Sequence, residues 1–409
     1  MDTRIYFRIK FIRHAPKSPL PSNQIHARPH PPEGRGEGGW GEGDRRPRRG
    51  VDPGSLHSAS RPCNLYPGDY MRSGFVSIIG RPNAGKSTLL NALIGEKVAI
   101  VTPRPQTTRI RIHGIAEVPE RKGKHPAAQV VFVDTPGIHR PASQLDRTMM
   151  HEIHEALANR DLVLFVVDAV RRQPAAGESG PLQLDRASEE ALAFEMIRGI
   201  DCPVFLVITK IDLVPRERLL PLIEGLSALH SFAEVMPVSA KTGDGLKPLL
   251  HRIAEFLPDG ERWFPKDQFT DQPERFLAAE LIRERILVET GEEVPYSSAV
   301  IVERFEEPEP QPQKGRRPNG KSPVTRISAA IYCEREGQKA ILIGKGGSKL
   351  REIGTGARRA IEAMLGTRVY LELHVLVRER WRDSRVFVES LDWRRQLEEI
   401  AEREQKGGR

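Results

Sequence analysis

The chain has no long apolar run. The longest, Leu162 to Val167, spans six residues between Asp161 and Asp168. A helix needs about 20 such residues to cross a bilayer, so a membrane-spanning helical protein is excluded. Cysteine is scarce too: Cys63, Cys202 and Cys333 are odd in number and far apart in 409 residues. They suggest neither a disulfide framework nor a metal cluster, and they fit a reducing cytoplasm. Charge of one sign is also lacking, with 63 Lys+Arg against 55 Asp+Glu for a net +8. Most of that excess sits early, since residues 1–70 hold 12 basic and 7 acidic side chains. Residues 71–270 carry 25 and 24, and residues 271–409 carry 26 and 24. The total alone is therefore no argument for a nucleic-acid partner.

Residues 1–70 contain 10 Pro and 9 Gly without sustained apolar periodicity. Burial would not repay the entropy of ordering them, so a disordered basic extension is expected. Glu33, Glu37, Glu42 and Asp44 suit a transit peptide poorly. An untranslated or dispensable stretch is preferred over a targeting peptide or a basic RNA-binding arm, because Met71 directly precedes a natural domain start.

From residue 75 the pattern becomes regular. Strands are expected at 75–80, 109–117, 128–134, 161–168, 203–209 and near 235–239. Helical stretches alternate with them at 86–94, 143–158, 185–199, 216–229 and 246–256. Such alternation predicts an α/β fold with a mainly parallel sheet covered on both faces. This first domain is expected over 71–258, followed by a linker at 259–272. A second, α+β domain is expected over 273–395 in the order α-β-β-α-α-β, with a tail at 396–409.

Gly80 to Ser87 reads GRPNAGKS, which fits G-x-x-x-x-G-K-[ST] directly after a strand and opening a helix. Backbone N–H groups of Gly80, Asn83, Ala84, Gly85, Lys86, Ser87 and Thr88 can wrap phosphates, helped by the helix N-terminus. Lys86 supplies charge to the β- and γ-phosphates, and Ser87 a hydroxyl for Mg²⁺. Asp134-Thr-Pro-Gly137 ends the next strong strand. Its carboxylate can hold Mg²⁺ and its Gly137 N–H can meet the γ-phosphate. Between the two lies a polar, Pro-stiffened loop, residues 102–109, in which Thr108 is preferred over Thr107 as the third Mg²⁺ group. Lys86, Thr108, Gly137 and Asn83 form the expected catalytic set.

Two further motifs choose the base. Thr209-Lys210-Ile-Asp212 and Ser239-Ala240-Lys241 each follow a strand. The Asp212 carboxylate can accept from guanine N1–H and N2–H₂, donors that adenine lacks. Backbone N–H groups at Ser239, Ala240 and Lys241 would face guanine O6, and the Lys210 stem can cover the ring. These elements in this order resemble the small GTPases of the translation-factor class, and most closely the Era family. Thr209 departs from the usual asparagine, which weakens nucleotide binding while Asp212 preserves guanine choice. Ile138 stands where Ras-like GTPases carry a water-orienting glutamine, so slow intrinsic hydrolysis is expected. Relatives with this replacement use K⁺ held partly by a P-loop asparagine, here Asn83.

The second domain carries Ile343-Gly344-Lys345-Gly346-Gly347, a GxxG loop between two helices. Bare of side chains, it can approach a sugar–phosphate backbone, with Lys345, Lys349 and Arg351 adding charge. Ile341, Leu342, Ile343 and Ile353 could floor a groove for bases. Residues 314–385 hold 17 Lys+Arg against 7 Asp+Glu, a local +10. This order and loop are similar to a type II KH domain, so the resemblance to the Era family covers 72 to about 395. It implies a GTP-hydrolysing factor that binds 16S rRNA near its 3′ end and assists 30S subunit maturation, with GTP state gating RNA binding. GTP/GDP, Mg²⁺ and K⁺ are the implied cofactors, and 16S rRNA and the 30S subunit the partners. A cytoplasmic monomer is expected, with peripheral attachment at the inner face of the cell membrane left open. The rival is an RNA-binding module whose nucleotide site only stabilises it, favoured by Thr209 and Ile138. Within the loop from 306 to 323, the basic, Pro-rich stretch Gln311 to Pro323 is expected to be an insertion specific to this protein, and its residues assign it no task.

Overall fold

Seven strands form the first sheet of a computed structural model that describes residues 71–123, 125–170, 185, 188–291, 293–307 and 324–398. The N-terminal extension, the loop at 308–323 and the last eleven residues of the tail lie outside these. In chain order the first half contains β1 (Met71–Gly80), α1 (Lys86–Ile94), β2 (Ile112–Val118), β3 (Ala128–Asp134), α2 (Gln144–Ala158), β4 (Leu162–Asp168) and α3 (Glu189–Arg198). It continues with β5 (Val204–Thr209), α4 (Leu219–Ser227), β6 (Glu234–Pro237), α5 (Leu246–Phe256) and β7 (Asp259–Gly260). The sheet runs β2-β3-β1-β4-β5-β6. Strands β3, β1, β4, β5 and β6 are parallel, while β2 and β7 pair antiparallel with β3 and β1.

Strands β1, β3, β4 and β5 are mainly apolar, with Ser77 and Gln129 among their few buried polar residues, because both faces are covered. One face packs α1 and α5 through Leu89, Leu90, Leu249 and Ile253. The other packs α2 and α3 through Ile153, Leu157, Phe194 and Ile197. The chain runs from β1 through α1 and β2 to β3 on one side of β1, then from β3 through α2 to β4 on its other side, so the sheet order reverses at β1. Ligand crevices form at such switch points, beyond the strands' C-terminal ends. Gly80, Asp134, Asp168 and Thr209 all stand at those ends.

The segment expected as a linker is fastened to this sheet. Buried Gln129 explains the difference, because its amide replaces a strand partner for the passing chain. Its Oε1 accepts from Trp263 N at 2.8 Å and Phe264 N at 3.0 Å, and its Nε2 donates to Phe264 O at 2.8 Å. Ser73 Oγ donates to Glu261 O at 2.7 Å, and Ile115 N to Phe269 O at 2.8 Å.

The second half contains α6 (Glu274–Glu289), α7 (Val294–Ser297), β8 (Ala299–Glu306), β9 (Val324–Cys333), α8 (Glu336–Ile343), α9 (Ser348–Leu365), β10 (Arg368–Val377) and α10 (Arg385–Ser390). Its sheet is β10-β9-β8, with β9 parallel to β10 and antiparallel to β8. Apart from the single turn of α7, this is the α-β-β-α-α-β order, followed by α10. Helices α6 and α9 bury Ile282, Ile286, Ala357 and Ile361 against Ile327, Ala329 and Ile331 of β9. Leu342 and Ile353 are fully buried in the same cluster. They belong to the core and floor no groove, leaving Ile341, 52% exposed, and the partly buried Ile343 on the surface.

Candidate functional site

The P-loop is shaped by its backbone. Asn83 and Gly85 take left-handed conformations (φ 61° and 96°), and Gly85 N-caps α1. Lys86 is buried, and its Nζ donates to Gly80 O at 3.1 Å and Arg81 O at 2.9 Å. Burial pushes its ammonium down to about 8, against the opposing pull of Asp134 and Glu189. A cleft of about 50 Å³ overlies the loop, lined by Asn83, Lys86, Ser87, Thr88, Thr108 and Gly137. A larger cavity, about 480 Å³, lies elsewhere between α2, α6 and α10 and shares none of these residues.

Three residues expected to meet a cation converge. Ser87 Oγ lies 2.9 Å from Thr108 Oγ1 and donates to Asp134 Oδ2 at 2.7 Å, while Thr108 Oγ1 donates to the same oxygen at 3.2 Å. Thr107 instead spends its hydroxyl inside its own loop, on Thr102 Oγ1 and Arg104 O, each at 2.7 Å. Asp134 is fully buried and its Oδ1 has no partner. Burial raises its pKa, while Lys86 and the two hydroxyls pull it back. A buried carboxylate oxygen left unpaired beside two hydroxyls is a hard-oxygen set suited to Mg²⁺.

Gly137 must be glycine, because a Cβ there would sit 2.7 Å from the backbone of Pro82. The Gly137 turn thus lies close against the P-loop, and Ile138 N ties it there by donating to Gly80 O at 3.1 Å. The Ile138 side chain is fully buried among Ile79, Ile153 and Phe165.

At the base end, Thr209 is buried and its hydroxyl donates to Ala84 O at 2.6 Å, tying β5 to the P-loop. Threonine thus retains the P-loop contact of the usual asparagine and lacks only the amide's second arm. Lys210 Nζ bridges Asn83 O at 2.8 Å and Asp168 Oδ2 at 2.6 Å. Ser239 Oγ donates to Asp212 Oδ1 at 2.7 Å, which brings the two base motifs together. Ala240 and Lys241 follow in the turn that Thr242 N closes on Ser239 Oγ at 3.1 Å.

In the second domain, Ile343 ends α8, and Gly344, Lys345 and Gly346 lead to Gly347, which N-caps α9. Gly344 combines φ 72° with Lys349 Cβ only 2.7 Å from where its own Cβ would lie, so no other residue fits. Lys345 and Arg351 are exposed, whereas Lys349 is paired with Glu352 at 2.7 Å.

Contacts between the loop carrying Thr108 and the second domain were absent from the expected set. Arg283 of α6 donates to Thr107 O and, at 3.4 Å, to Gln106 O. Arg109 donates to Ser298 O at 2.8 Å and Tyr296 O at 3.2 Å, with its guanidinium 5.6 Å from the Trp381 ring. Burial leads in pushing Arg109 down to about 9, with like-charged Arg283 and Arg382 adding to it. Val101 N donates to Glu284 Oε1 at 3.1 Å, and Ile100 joins the second domain's core. Helix α2, which follows Gly137, packs Leu145 and Met149 against Ala299, Trp381 and Phe387. No motif marks these residues in sequence; only their pairing across about 180 positions does. Asp168, the partner of Lys210, had one signal, an acid ending a wholly apolar strand.

Two family models match the chain, one of 50S ribosome-binding GTPases over residues 75–210 and one of KH domains over residues 293–382. The chain is similar to GTPase Era of Geobacter sp. (strain M21), 46% identical over 313 residues, which cover 76% of this chain and 95% of that relative. GTPase Era of Syntrophus aciditrophicus (strain SB) is 46% identical over 319 residues, covering 78% and 94%. A crystal structure of Era in complex with MgGDPNP and nucleotides 1506–1542 of 16S ribosomal RNA superposes with a TM-score of 0.68 at 37% identity, covering 78% of this chain and 98% of that one. An Aquifex aeolicus Era variant bound to GDP and AlF₄⁻ gives 0.66 at 37%, with the same coverage.

Proposed function

The chain belongs to the Era family of GTPases, and from that premise we propose that it is a GTP-driven assembly factor of the small ribosomal subunit. Its KH domain grips 16S rRNA near the 3′ end, and the nucleotide state decides how tightly. The P-loop N–H groups from Asn83 to Thr88 bind the phosphates, with Lys86 as the point charge. Asp212 selects guanine with Ser239, Ala240 and Lys241, and Lys210 flanks the base. Ser87, Thr108 and Asp134 hold Mg²⁺, which when bound neutralises phosphate charge. The unpaired Asp134 Oδ1 supports that assignment. K⁺ is assigned to Asn83, whose Nδ2 donates to Pro103 O at 2.9 Å and which keeps Oδ1 as an acceptor. On the RNA side, Gly344 to Gly347 meet the sugar–phosphate backbone, and Lys345, Lys349 and Arg351 supply charge beside Ile343.

One observation carries the gating. The loop that places Thr108 against Ser87 and Asp134 is gripped by Arg283 and by the carbonyls that Arg109 reaches. Binding and loss of a γ-phosphate reorder such loops, and any movement here works against second-domain backbone. Measuring affinity for a 16S 3′-end oligonucleotide with GTP analogue, GDP and no nucleotide tests this. Equal affinity in all three states would remove the gate. Crosslinking in cells that scattered over messenger RNA, without enrichment at the 16S 3′ end, would remove the rRNA assignment.

A further inference from the structure

The Ile138 side chain, buried in the core, offers the reaction no polar atom. The next residue does. His139, whose side chain is 13% exposed, places Nδ1 2.8 Å from Gly137 O and Nε2 3.0 Å from Asp146 Oδ1. A backbone carbonyl and a carboxylate are both acceptors. A neutral imidazole owns a single N–H and can satisfy one of them, whereas an imidazolium donates to both.

We propose that His139 works as an imidazolium and is a positioning residue for GTP hydrolysis, clamping the Gly137–Ile138 peptide and tying it through Asp146 to the loop carrying Thr108. This rests on the reading of Gly137 as a γ-phosphate contact. The peptide is held at both ends, by His139 on its carbonyl and by Gly80 O, 3.1 Å from its N–H. Asp146 Oδ1 also accepts from Gln106 Nε2 at 3.0 Å. One carboxylate therefore joins both loops that reach the phosphate cleft. Its other oxygen caps α2, accepting from Ser143 N at 2.9 Å and Ala142 N at 3.1 Å.

The charges around His139 agree with the geometry. The Asp146 hydrogen bond is the main cause that raises its pKa, opposed by burial and helped by Gly137 O and Glu189. Asp146 lies on α2 and Glu189 on α3, where Arg81 of the P-loop sits 3.5 Å from Glu189. Arg109 and Arg382 feel Asp146 from beyond it. For Asp146, burial pushes the carboxyl up, but the bonds from His139, Ser143 and Ala142 outweigh it and hold it well below the carboxylate range. When His139 loses its proton, one of its two bonds breaks and either the Gly137 peptide or the Asp146 junction is released. The working form carries the proton, so turnover falls as pH rises through the raised pKa.

The test uses the full chain and two readouts over pH 5.5–9.5. Imidazole ¹⁵N spectra should show both His139 nitrogens protonated at pH 7. Steady-state kinetics should show kcat falling along the alkaline limb with KM for GTP nearly constant. His139→Gln should lower kcat on the order of 10- to 100-fold at pH 6.5 and flatten that limb. Asp146→Asn should move the limb to lower pH. A neutral His139 at pH 7, or an unchanged limb in His139→Gln, overturns the proposal. So does a His139→Gln variant whose defect is confined to KM. If the wild-type chain turned over no GTP at any pH, the γ-phosphate reading of Gly137 would fail, and the nitrogen spectrum would still decide the charge.

Discussion

Arg283→Met isolates the route by which nucleotide state reaches the RNA-binding domain. The Arg283 side chain is 3% exposed on α6. Its guanidinium donates to Thr107 O, reaches Gln106 O at 3.4 Å, and is braced by Glu280 at 2.8 and 2.6 Å. Methionine keeps most of the apolar stem and removes every donor. A hydrogen bond from a charged group contributes about 1.5–3 kcal/mol, and the contact at 3.4 Å adds little. Glu280, at 16% side-chain exposure, recovers part of its lost partner from water. The expected loss is therefore about 2–4 kcal/mol at the domain boundary, visible in a melt. Coupling between two sites is typically about 1–3 kcal/mol, or 5–150-fold. If Arg283 carries most of it, the ratio of RNA affinities in GTP analogue and GDP should fall toward one. Affinity for the analogue itself should change by no more than about threefold, because Lys86, Ser87 and Asp134 are untouched. Fluorescence anisotropy with a labelled 16S 3′-end oligonucleotide reads the ratio, and circular dichroism reads the fold. A folded variant with the wild-type ratio refutes coupling through this residue.

Three other outcomes are expected. Thr209→Asn should raise guanine-nucleotide affinity by restoring an amide that can serve both Ala84 O and the base, and calorimetry showing no gain would mean that Thr209 costs nothing. Lys345→Glu, at an exposed position remote from the P-loop, should weaken RNA binding about tenfold while GTP turnover stays intact; equal losses in both would place Lys345 in a structural role. Turnover in KCl should exceed that in NaCl if Asn83 holds K⁺, and equal rates would withdraw that ion.

What the sequence disclosed and what it concealed divide along physical lines. The P-loop, the Asp134–Gly137 turn and the GxxG loop are legible because their chemistry is local: a backbone shape and a few atoms within ten residues. Helix bounds follow likewise from local signals, as when Ser143 and Asp146 cap α2 reciprocally. The order of the linker is not legible in sequence because it comes from Gln129, more than 130 residues earlier, and composition sees only Pro, Gly and aromatics. The groove residues Leu342 and Ile353 were misplaced for a related reason. An apolar residue beside a binding loop reads the same whether it faces ligand or core, and only packing against β9 and α6 decides. Ile138 and His139 make the sharpest case. Read singly, Ile138 is a missing glutamine and His139 an ordinary loop histidine. Only the fold shows that Ile138 is spent on the core, which leaves His139 the polar side chain at the Gly137 turn with an acceptor at each nitrogen. A protonation state is thus fixed by two oxygens that no sequence pattern places, and the chemistry of the turn follows from it.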